Sequence, residues 1–404
     1  MSEIIRALAL QVAEACADPR YARLKSLWAR HNALDRATKP PVCVFLHRGY
    51  TETWRELIPP DQLLSSDPLE RDIEIQLRQK LYRYKHIPDD TVVLPTVVID
   101  PPKAPGAPPL WGAEVQHVDP HDPAGAYAYR PIVADESDLE RLRLPTFDWD
   151  PVATSEVVAR ARELVGDAVP VQAWRQELMG NPGERIVEWI GWERFLFGLV
   201  ERPQFIHRVM SFITDGMIAY HRSMESAGFV SAEQTWHFRV HYDELSPSQP
   251  PDRLKSCWIY ITAQTTGTIS PAMYAEFIQP YNERIAALFG EGKVYYHGCE
   301  DLGPKIDVIR RLPGLRRFHV SPWTNLPNAV EKLSASMVLE CHVNPATTTL
   351  SLNPDRMRAD VRQVIRDADG ACYDINLSDI QTVRNDPRIL TEWARIAQEE
   401  TERA

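Results

Sequence analysis

Long hydrophobic runs are missing from this sequence. No stretch of about 18 apolar residues occurs, so we expect no membrane-spanning helix. Basic residues are too few to balance the acidic ones: 45 Lys and Arg face 56 Asp and Glu, and the formal net charge is −11. An acidic surface repels phosphate backbones, which argues against nucleic acid as a partner. The N-terminal stretch has a helical rhythm without the apolar core of a signal peptide, which predicts a cytoplasmic protein.

Cysteine and phosphate-binding glycine patterns are also scarce. Only six cysteines are scattered over 404 residues, which favours free thiols over a disulfide framework. The glycine fingerprint of dinucleotide-binding sheets is absent, which weakens the case for a doubly wound fold. With 44% hydrophobic and 25% charged residues, the composition is that of an ordinary globular protein.

Proline, in contrast, is abundant. Many of the 33 prolines lie in the segment Pro95 to Pro131, which has PPKAPGAPP at its centre. Each proline lacks an N–H, so this segment cannot form a helix or a central strand. It is predicted to be a long ordered insertion over the surface or above a site. A flexible linker between two domains is the alternative.

Short β-branched or aromatic runs alternate with helical patterns. SPAMYAEFIQPYNERIAALFG, for example, has Ser270 as N-cap, Pro271 in the first turn and Gly290 as a stop. This alternation predicts parallel strands, and eight of them fit a (β/α)8 TIM barrel of the α/β class, with an open doubly wound sheet as the alternative. The predicted strands are 41–46, 91–99, 168–174, 230–238, 293–298, 315–321, 336–343 and 371–377.

Polar and aromatic residues follow many of the predicted strands. In a parallel barrel the chemistry lies at the carboxyl ends of the strands, so converging ionisable groups there indicate a functional site. These residues are Trp174, Arg175, His237, His241, Asp243, Glu244, His297, Cys299, Glu300, His319, Ser321, Trp323, Cys341, His342, Asn344, Asn376 and Asp379.

The sequence His297-Gly298-Cys299 is the most informative of these strand ends. Residues two apart on a strand share a face, so the imidazole and the thiol would both face the barrel axis, and Gly298 would leave room for a ligand. Both groups are zinc ligands, and a catalytic zinc keeps three protein ligands and one open position. Two packed side chains at a strand end, or a nucleophile with its base, are the alternatives.

The other candidates each have a structural alternative. His237 and His241 would bind substrate or metal, or lie on a solvated loop. Trp174 and Arg175 end the third strand, where Arg175 would clamp a carboxylate or form an ion pair. Trp323 would line the binding site of an apolar substrate or pack in the core. Cys341 and His342 are adjacent on a predicted strand, so their side chains point to opposite faces. We favour His342 as the one that faces the site.

The chain resembles the uroporphyrinogen decarboxylase superfamily, particularly its methyltransferase branch. The resemblance lies in ISPAMYAEFIQPYNERI (269–285), VYYHGCEDLGPKIDVI (294–309), LRRFHVSPWTNLPNAVEKL (315–333) and INLSDIQTV (375–383). It implies a helical extension over residues 1–40 and a single (β/α)8 barrel domain over residues 41–404.

One chemistry that the resemblance implies is zinc-dependent methyl transfer with a corrinoid carried on a partner protein. Family members of this kind carry His-x-Cys after strand five and a further cysteine after strand eight. His297 and Cys299 match the first pair, and Asp379 stands where the third ligand is expected. A carboxylate can bind zinc but makes the metal harder. Glu300 or Asp243 would then donate or accept a proton.

The other implied chemistry is metal-free decarboxylation of a carboxylated substrate. The decarboxylases hold substrate carboxylates with an arginine pair after strand one, and here only Arg48 fits, with Arg55 seven residues later. Arg48 and Arg175 would act as carboxylate clamps in such a lyase. A third hypothesis is a non-catalytic binding subunit of a methyl-transfer system. The expected partners are a small-molecule substrate, a corrinoid protein and, in a homodimer, a second copy of the chain.

Overall fold

The structure is a computed structural model that describes residues 2–47, 49–118, 128–173, 178–232 and 248–404. Within these ranges, none of the helices combines the length and the apolarity that crossing a bilayer requires. The strands are β1 Val42–Val44, β2 Val97–Ile99, β3 Gln116–Val118, β4 Ala128–Arg130, β5 Val171–Ala173, β6 Met179–Gly180, β7 Ile259–Thr262, β8 Val294–His297, β9 Leu315–Val320, β10 Val338–His342 and β11 Cys372–Leu377.

Helices separate most of the strands, as the alternating sequence pattern predicts. They are α1 Ser2–Cys16, α2 Arg20–Asn32, α3 Glu52–Leu57, α4 Pro68–His86, α5 Glu136–Leu139, α6 Pro151–Val165, α7 Pro182–Ile190, α8 Trp192–Glu201, α9 Pro203–Ser226, α10 Pro271–Phe277, α11 Gln279–Ala286, α12 Ile306–Ile309, α13 Leu326–Leu333, α14 Pro345–Thr349, α15 Pro354–Asp367 and α16 Arg388–Thr401.

The main sheet is parallel and has the order β1-β11-β10-β9-β8-β7-β6, and β2 and β5 form a second parallel pair. The first and last strands of the chain therefore lie side by side, with Val42 opposite Ile375. This arrangement is a TIM-barrel-like α/β fold, which confirms the predicted fold class. Strands β3 and β4 form a separate antiparallel hairpin.

The barrel strands are buried on both faces, but the two faces differ in chemistry. Residues such as Tyr296, Phe318 and Ile375 belong to the main hydrophobic core. Their neighbours Tyr295, Arg317 and Asp374 are also buried. Arg317 donates to Asp374 and to Glu340 of β10, and Glu340 also accepts from the Tyr295 hydroxyl. Side chains alternate along a strand, so the sequence places apolar groups towards the helices and polar groups towards the barrel axis.

The N-terminal helical extension is confirmed as two helices that pack on the barrel. Helix α1 contributes Ile5, Ala9 and Val12 to a second apolar cluster, which it shares with α4 and α6. The end of α2 carries His31 and Asn32, both buried, into contact with the polar barrel interior. This contact connects the extension to the candidate site described below.

Two strand predictions need correction. Residues 230–232 form no strand, and residues 233–247 lie outside the described residues. The strand that pairs with β8 is instead β7, Ile259–Thr262, which a β-branched and aromatic run (WIYIT) signals in the sequence. In the predicted strand 91–99, only Val97–Ile99 is extended in a sheet, because Pro95 cannot donate to a ladder.

The helix predicted from Ser270 to Gly290 begins as expected, with the Ser270 hydroxyl accepting from the Met273 N–H at 3.1 Å. It is divided at Ile278 into α10 and α11. Pro280 lies in the first turn of α11, where its missing N–H cannot continue the hydrogen bonds of α10.

The described part of the proline-rich segment is attached to the protein core. Trp111 is buried, and its ring lies edge-on to Trp189 with the centroids 4.9 Å apart. It also rests on Gly216 of α9, where a Cβ atom would collide with the indole ring. These contacts agree with an ordered insertion, although residues 119–127 of the segment lie outside the described residues.

Candidate metal centre

His297 and Cys299 meet at the carboxyl end of β8. The Nε2 atom of His297 lies 3.2 Å from the Cys299 sulfur, and the Cys299 backbone N–H donates to the Gln264 side-chain oxygen at 3.3 Å. His297 is buried, whereas Cys299 is partly exposed. An imidazole nitrogen and a thiol therefore converge at the mouth of the barrel, as the two-residue spacing predicts.

Asp379 approaches the same thiol from the end of β11. Its Oδ2 atom lies 4.0 Å from the Cys299 sulfur, and its Oδ1 atom lies 3.9 Å from His47 Nε2. Zinc bonds of about 2.0–2.3 Å in a tetrahedral site place two ligand atoms about 3.5 Å apart. The separations of 3.2 Å and 4.0 Å bracket that value, so the Cys299 sulfur is spaced from each partner about as two ligands of one zinc ion are.

His319 brings a second imidazole nitrogen close to His297 and Cys299. The ligand atoms of His297, Cys299 and His319 all lie within 4.8 Å of one another. The two rings, however, are parallel within 3° and stacked with their centroids 4.1 Å apart. A ring nitrogen binds a metal along its in-plane lone pair, so two stacked parallel rings cannot share one ion in this orientation.

A hydrogen bond to the main chain holds the His319 ring in this stacked position. Its Nδ1 atom lies 2.7 Å from the Gly298 carbonyl oxygen and 3.3 Å from the Gly298 nitrogen. The shorter contact places the proton on Nδ1, which donates to the carbonyl. His319 is therefore better suited to support His297 than to replace Asp379 as a ligand.

Glu300 occupies the space that the sequence suggested Gly298 would leave for a ligand. A Cβ atom at Gly298 would lie 2.6 Å from Glu300 Oε2, so the glycine makes room for this carboxylate. Oε2 is buried without a hydrogen-bond partner among the described residues. Burial raises the pKa of Glu300, and the neighbouring Lys305 ammonium opposes that effect.

Glu184 is a second carboxylate close to this rim. Its Oε1 atom accepts from the Gln264 backbone N–H at 2.7 Å and from the Thr262 hydroxyl at 3.3 Å. Its Oε2 atom is buried and has no partner within the described part of the chain. Burial raises the pKa of Glu184 to about 7, a rise to which the charge of Glu300 also contributes.

We expect this raised pKa to make stability depend on pH. Between about pH 4.5 and 7 the folded state holds a proton on Glu184 that the unfolded chain has lost, so the free energy of unfolding falls as pH rises, by about 3 kcal/mol in total. Glu184→Gln should remove this decline and be more stable than the parent at pH 8. Urea unfolding at several pH values measures it, with the exposed Glu193→Gln as control. Parallel profiles for parent and Glu184→Gln would contradict the prediction.

His342 lies inside the barrel, whereas its neighbour Cys341 packs in the hydrophobic core. The ring meets His319 edge-on with the centroids 4.1 Å apart. Its Nε2 atom lies 2.8 Å from Glu340 Oε1, and its Nδ1 atom lies 2.6 Å from the Ser378 hydroxyl. His342 is thus on the face that the strand alternation favours, but these partners hold it in a network.

The structure places some of the other predicted residues and leaves several undescribed. The Trp323 side chain is 65% exposed at the rim. The predicted site residues that lie outside the described residues are Arg48, Trp174, Arg175, His237, His241 and Asp243. Sequence reasoning assigned no role at the site to Tyr295, Glu340 or Glu184. Tyr295 and Glu340 lie two residues before His297 and His342, so strand alternation could have placed them on the same faces. No sequence signal marks Glu184.

Comparisons with known proteins find similarity to uroporphyrinogen decarboxylases. Residues 256–378 match the family model described as Uroporphyrinogen decarboxylase (URO-D). Uroporphyrinogen decarboxylases of Xanthomonas campestris and Xanthomonas euvesicatoria are 24% and 23% identical, each over 64% of this chain. The chain spans 65% of the length of these curated relatives.

A solved structure extends the likeness to nearly the whole fold. A methyltransferase from Methanosarcina mazei superposes with a TM-score of 0.57 at 14% identity, covering 93% of this chain and 98% of that one. The protein is thus an α/β barrel with ionisable groups at the carboxyl ends of its strands. It is similar to the uroporphyrinogen decarboxylase superfamily, which confirms the resemblance seen in the sequence.

Proposed function

We propose that this protein is a methyltransferase that holds a zinc ion with His297, Cys299 and Asp379. The observation that carries the proposal is the position of the Cys299 sulfur, 3.2 Å from His297 Nε2 and 4.0 Å from Asp379 Oδ2 at the barrel mouth. A zinc ion there would keep a sulfur atom deprotonated at neutral pH, either on Cys299 or on a bound thiol, and a thiolate is a good methyl acceptor.

The residues around the thiol would divide the remaining tasks. Glu300, whose carboxylate lies beside Gly298, would donate or accept the proton that accompanies transfer, and Asp243 is the alternative. Trp323 and His342 would contact a small methylated substrate, together with Arg48, Trp174, Arg175, His237 and His241. A corrinoid on a partner protein would carry the methyl group, as the resemblance to the methyltransferase branch implies. A cytoplasmic location remains part of this proposal.

Decarboxylation is the second candidate function, because the family model and the curated relatives carry that name. In this case Arg48 and Arg175 would hold substrate carboxylates and no metal would be needed. The thiol between an imidazole and a carboxylate favours methyl transfer, since a metal-free lyase has no use for that donor set.

Metal analysis of the purified protein, combined with a methyl-transfer assay, separates these functions. We expect about one zinc per chain and chelator-sensitive loss of the methylcobalamin absorbance when a thiol acceptor is present. Zinc-free protein that releases carbon dioxide from a porphyrinogen would overturn the proposal in favour of the lyase. Zinc-loaded protein that binds a corrinoid protein without any turnover would instead indicate a binding subunit.

A further inference from the structure

A buried ion-pair cluster lies beneath the candidate metal centre. Arg317 of β9 donates to Glu340 Oε2 of β10 at 2.9 Å and to Asp374 Oδ2 of β11 at 2.8 Å. The same guanidinium donates to the Asn32 side-chain oxygen of α2 at 3.0 Å. Partners on three elements fix the guanidinium, which in turn fixes the orientation of the Glu340 carboxylate.

The other oxygen of Glu340 faces the metal centre. Glu340 Oε1 accepts from the Tyr295 hydroxyl at 2.9 Å and lies 2.8 Å from His342 Nε2. An ionised carboxylate only accepts hydrogen bonds, so the Tyr295 proton points at Glu340. The Tyr295 oxygen is then the acceptor in its second contact, which is with His297 Nδ1 at 2.8 Å.

This order of donors and acceptors determines the tautomer of His297. Nδ1 must carry the proton, since the Tyr295 hydroxyl has already used its own on Glu340. Nε2 then keeps a lone pair, and this is the atom 3.2 Å from the Cys299 sulfur. The opposite tautomer would leave the Tyr295 and Glu340 oxygens 2.9 Å apart with no proton between them, unless Glu340 were itself protonated.

We propose that Tyr295 and Glu340 are positioning residues that hold His297 as the Nδ1–H tautomer, with Nε2 presented to a metal beside Cys299. The proposal rests on the proposed zinc site and deepens it. Neither residue touches the ion or a substrate; each acts through His297. The Arg317 cluster extends this support to Asn32 on the N-terminal helices, so the extension contributes to the geometry of the site.

Metal affinity of Tyr295→Phe tests the proposal, with Co(II) and Zn(II) titrated against a chromophoric chelator. Loss of the group that orients a metal-binding histidine lowers metal affinity by about 10–100-fold. Tyr296→Phe is the matched control: it removes the same hydroxyl one residue away, on the opposite face of the strand, where it contacts Tyr274 at 2.8 Å. We expect its affinity to stay within about threefold of the parent.

Glu340→Gln removes the negative charge at the other end of the hydrogen-bond chain from Glu340 through Tyr295 to His297. The Co(II) absorption spectrum reports whether the ligand field of the bound metal changes. We expect Tyr295→Phe and Glu340→Gln to bind the metal more weakly and to show a shifted Co(II) spectrum, whereas Tyr296→Phe should keep the parent spectrum. Equal affinity and equal spectra for Tyr295→Phe and the parent would overturn the positioning role while leaving the proposed function intact.

Nitrogen NMR of the metal-free protein keeps the two proposals distinguishable. With histidines labelled with ¹⁵N, and His297 assigned by its absence in His297→Asn, we expect the Nδ1–H tautomer in the parent and a mixture in Tyr295→Phe. A parent that binds no metal would overturn the proposed function, and the NMR result would still decide the positioning role. An Nε2–H tautomer in the parent would overturn that role.

Discussion

Cys299→Ala is expected to lower the zinc content of the purified protein from about one ion per chain to less than about 0.1. The thiol is the group that both other proposed ligands approach, at 3.2 Å and 4.0 Å, so its loss leaves only one imidazole and one carboxylate as ligands. Methyl transfer should disappear with the metal. Elemental analysis and the methylcobalamin assay measure the two effects.

Cys16→Ala is the matched control for this prediction. Cys16 is a partly exposed free thiol at the end of α1, where it packs against the apolar cluster of the extension. Its removal should leave both zinc content and activity unchanged. A Cys299→Ala protein that retains a full equivalent of zinc would show that the metal is bound elsewhere, and the ligand assignment would fail.

Arg317→Met is expected to lower the free energy of unfolding by about 3–5 kcal/mol. Burial alone would lower the pKa of Arg317, but the carboxylates of Asp374 and Glu340 more than compensate, so the pKa is raised and the guanidinium stays charged. Removing it leaves two buried carboxylates without their cation, the costly situation for an ion pair inside a protein. Urea unfolding followed by tryptophan fluorescence measures the loss.

A second substitution separates the charge effect from a packing defect. If the uncompensated carboxylates cause the loss of stability, combining Arg317→Met with Asp374→Asn should recover part of it, because the double variant no longer buries the unpaired charge of Asp374. If packing causes the loss, the two substitutions should add. Arg316→Met is the control at the preceding residue, whose guanidinium donates to the Ser336 carbonyl. It should lower the free energy of unfolding by no more than about 0.5 kcal/mol. A change below about 1 kcal/mol in Arg317→Met would refute the prediction.

The local patterns of the chain carried the fold prediction. Strands β8 to β11 were identified because β-branched runs, helix caps and proline positions act over a few residues, as with Ser270 and Pro271 at the start of α10. The prediction did not include strand β7, although its run of β-branched and aromatic residues is visible in the sequence.

The candidate site depends on residues that are close in sequence and on residues that are far apart in sequence. The two-residue spacing of His297 and Cys299 predicted a shared face by strand alternation. The two side chains do meet, although β8 ends at His297 and Cys299 lies in the bend that follows. Their approach to Asp379, 80 positions away, required the family resemblance for its prediction and the barrel for its geometry. The stacking of His319 on His297 was not predicted, since the relative register of two strands fixes it.

By itself, the sequence determined the strand and helix alternation, the polar inner face of the barrel strands and the His-x-Cys pair at the end of β8. Only the tertiary structure decided that Glu340 and Arg317 stand behind His297, through Tyr295, and that the N-terminal helix α2 reaches them with Asn32. The reason is physical: alternation and capping depend on neighbours along the chain. Hydrogen bonds between strands depend on a register that becomes defined only when the sheet has formed.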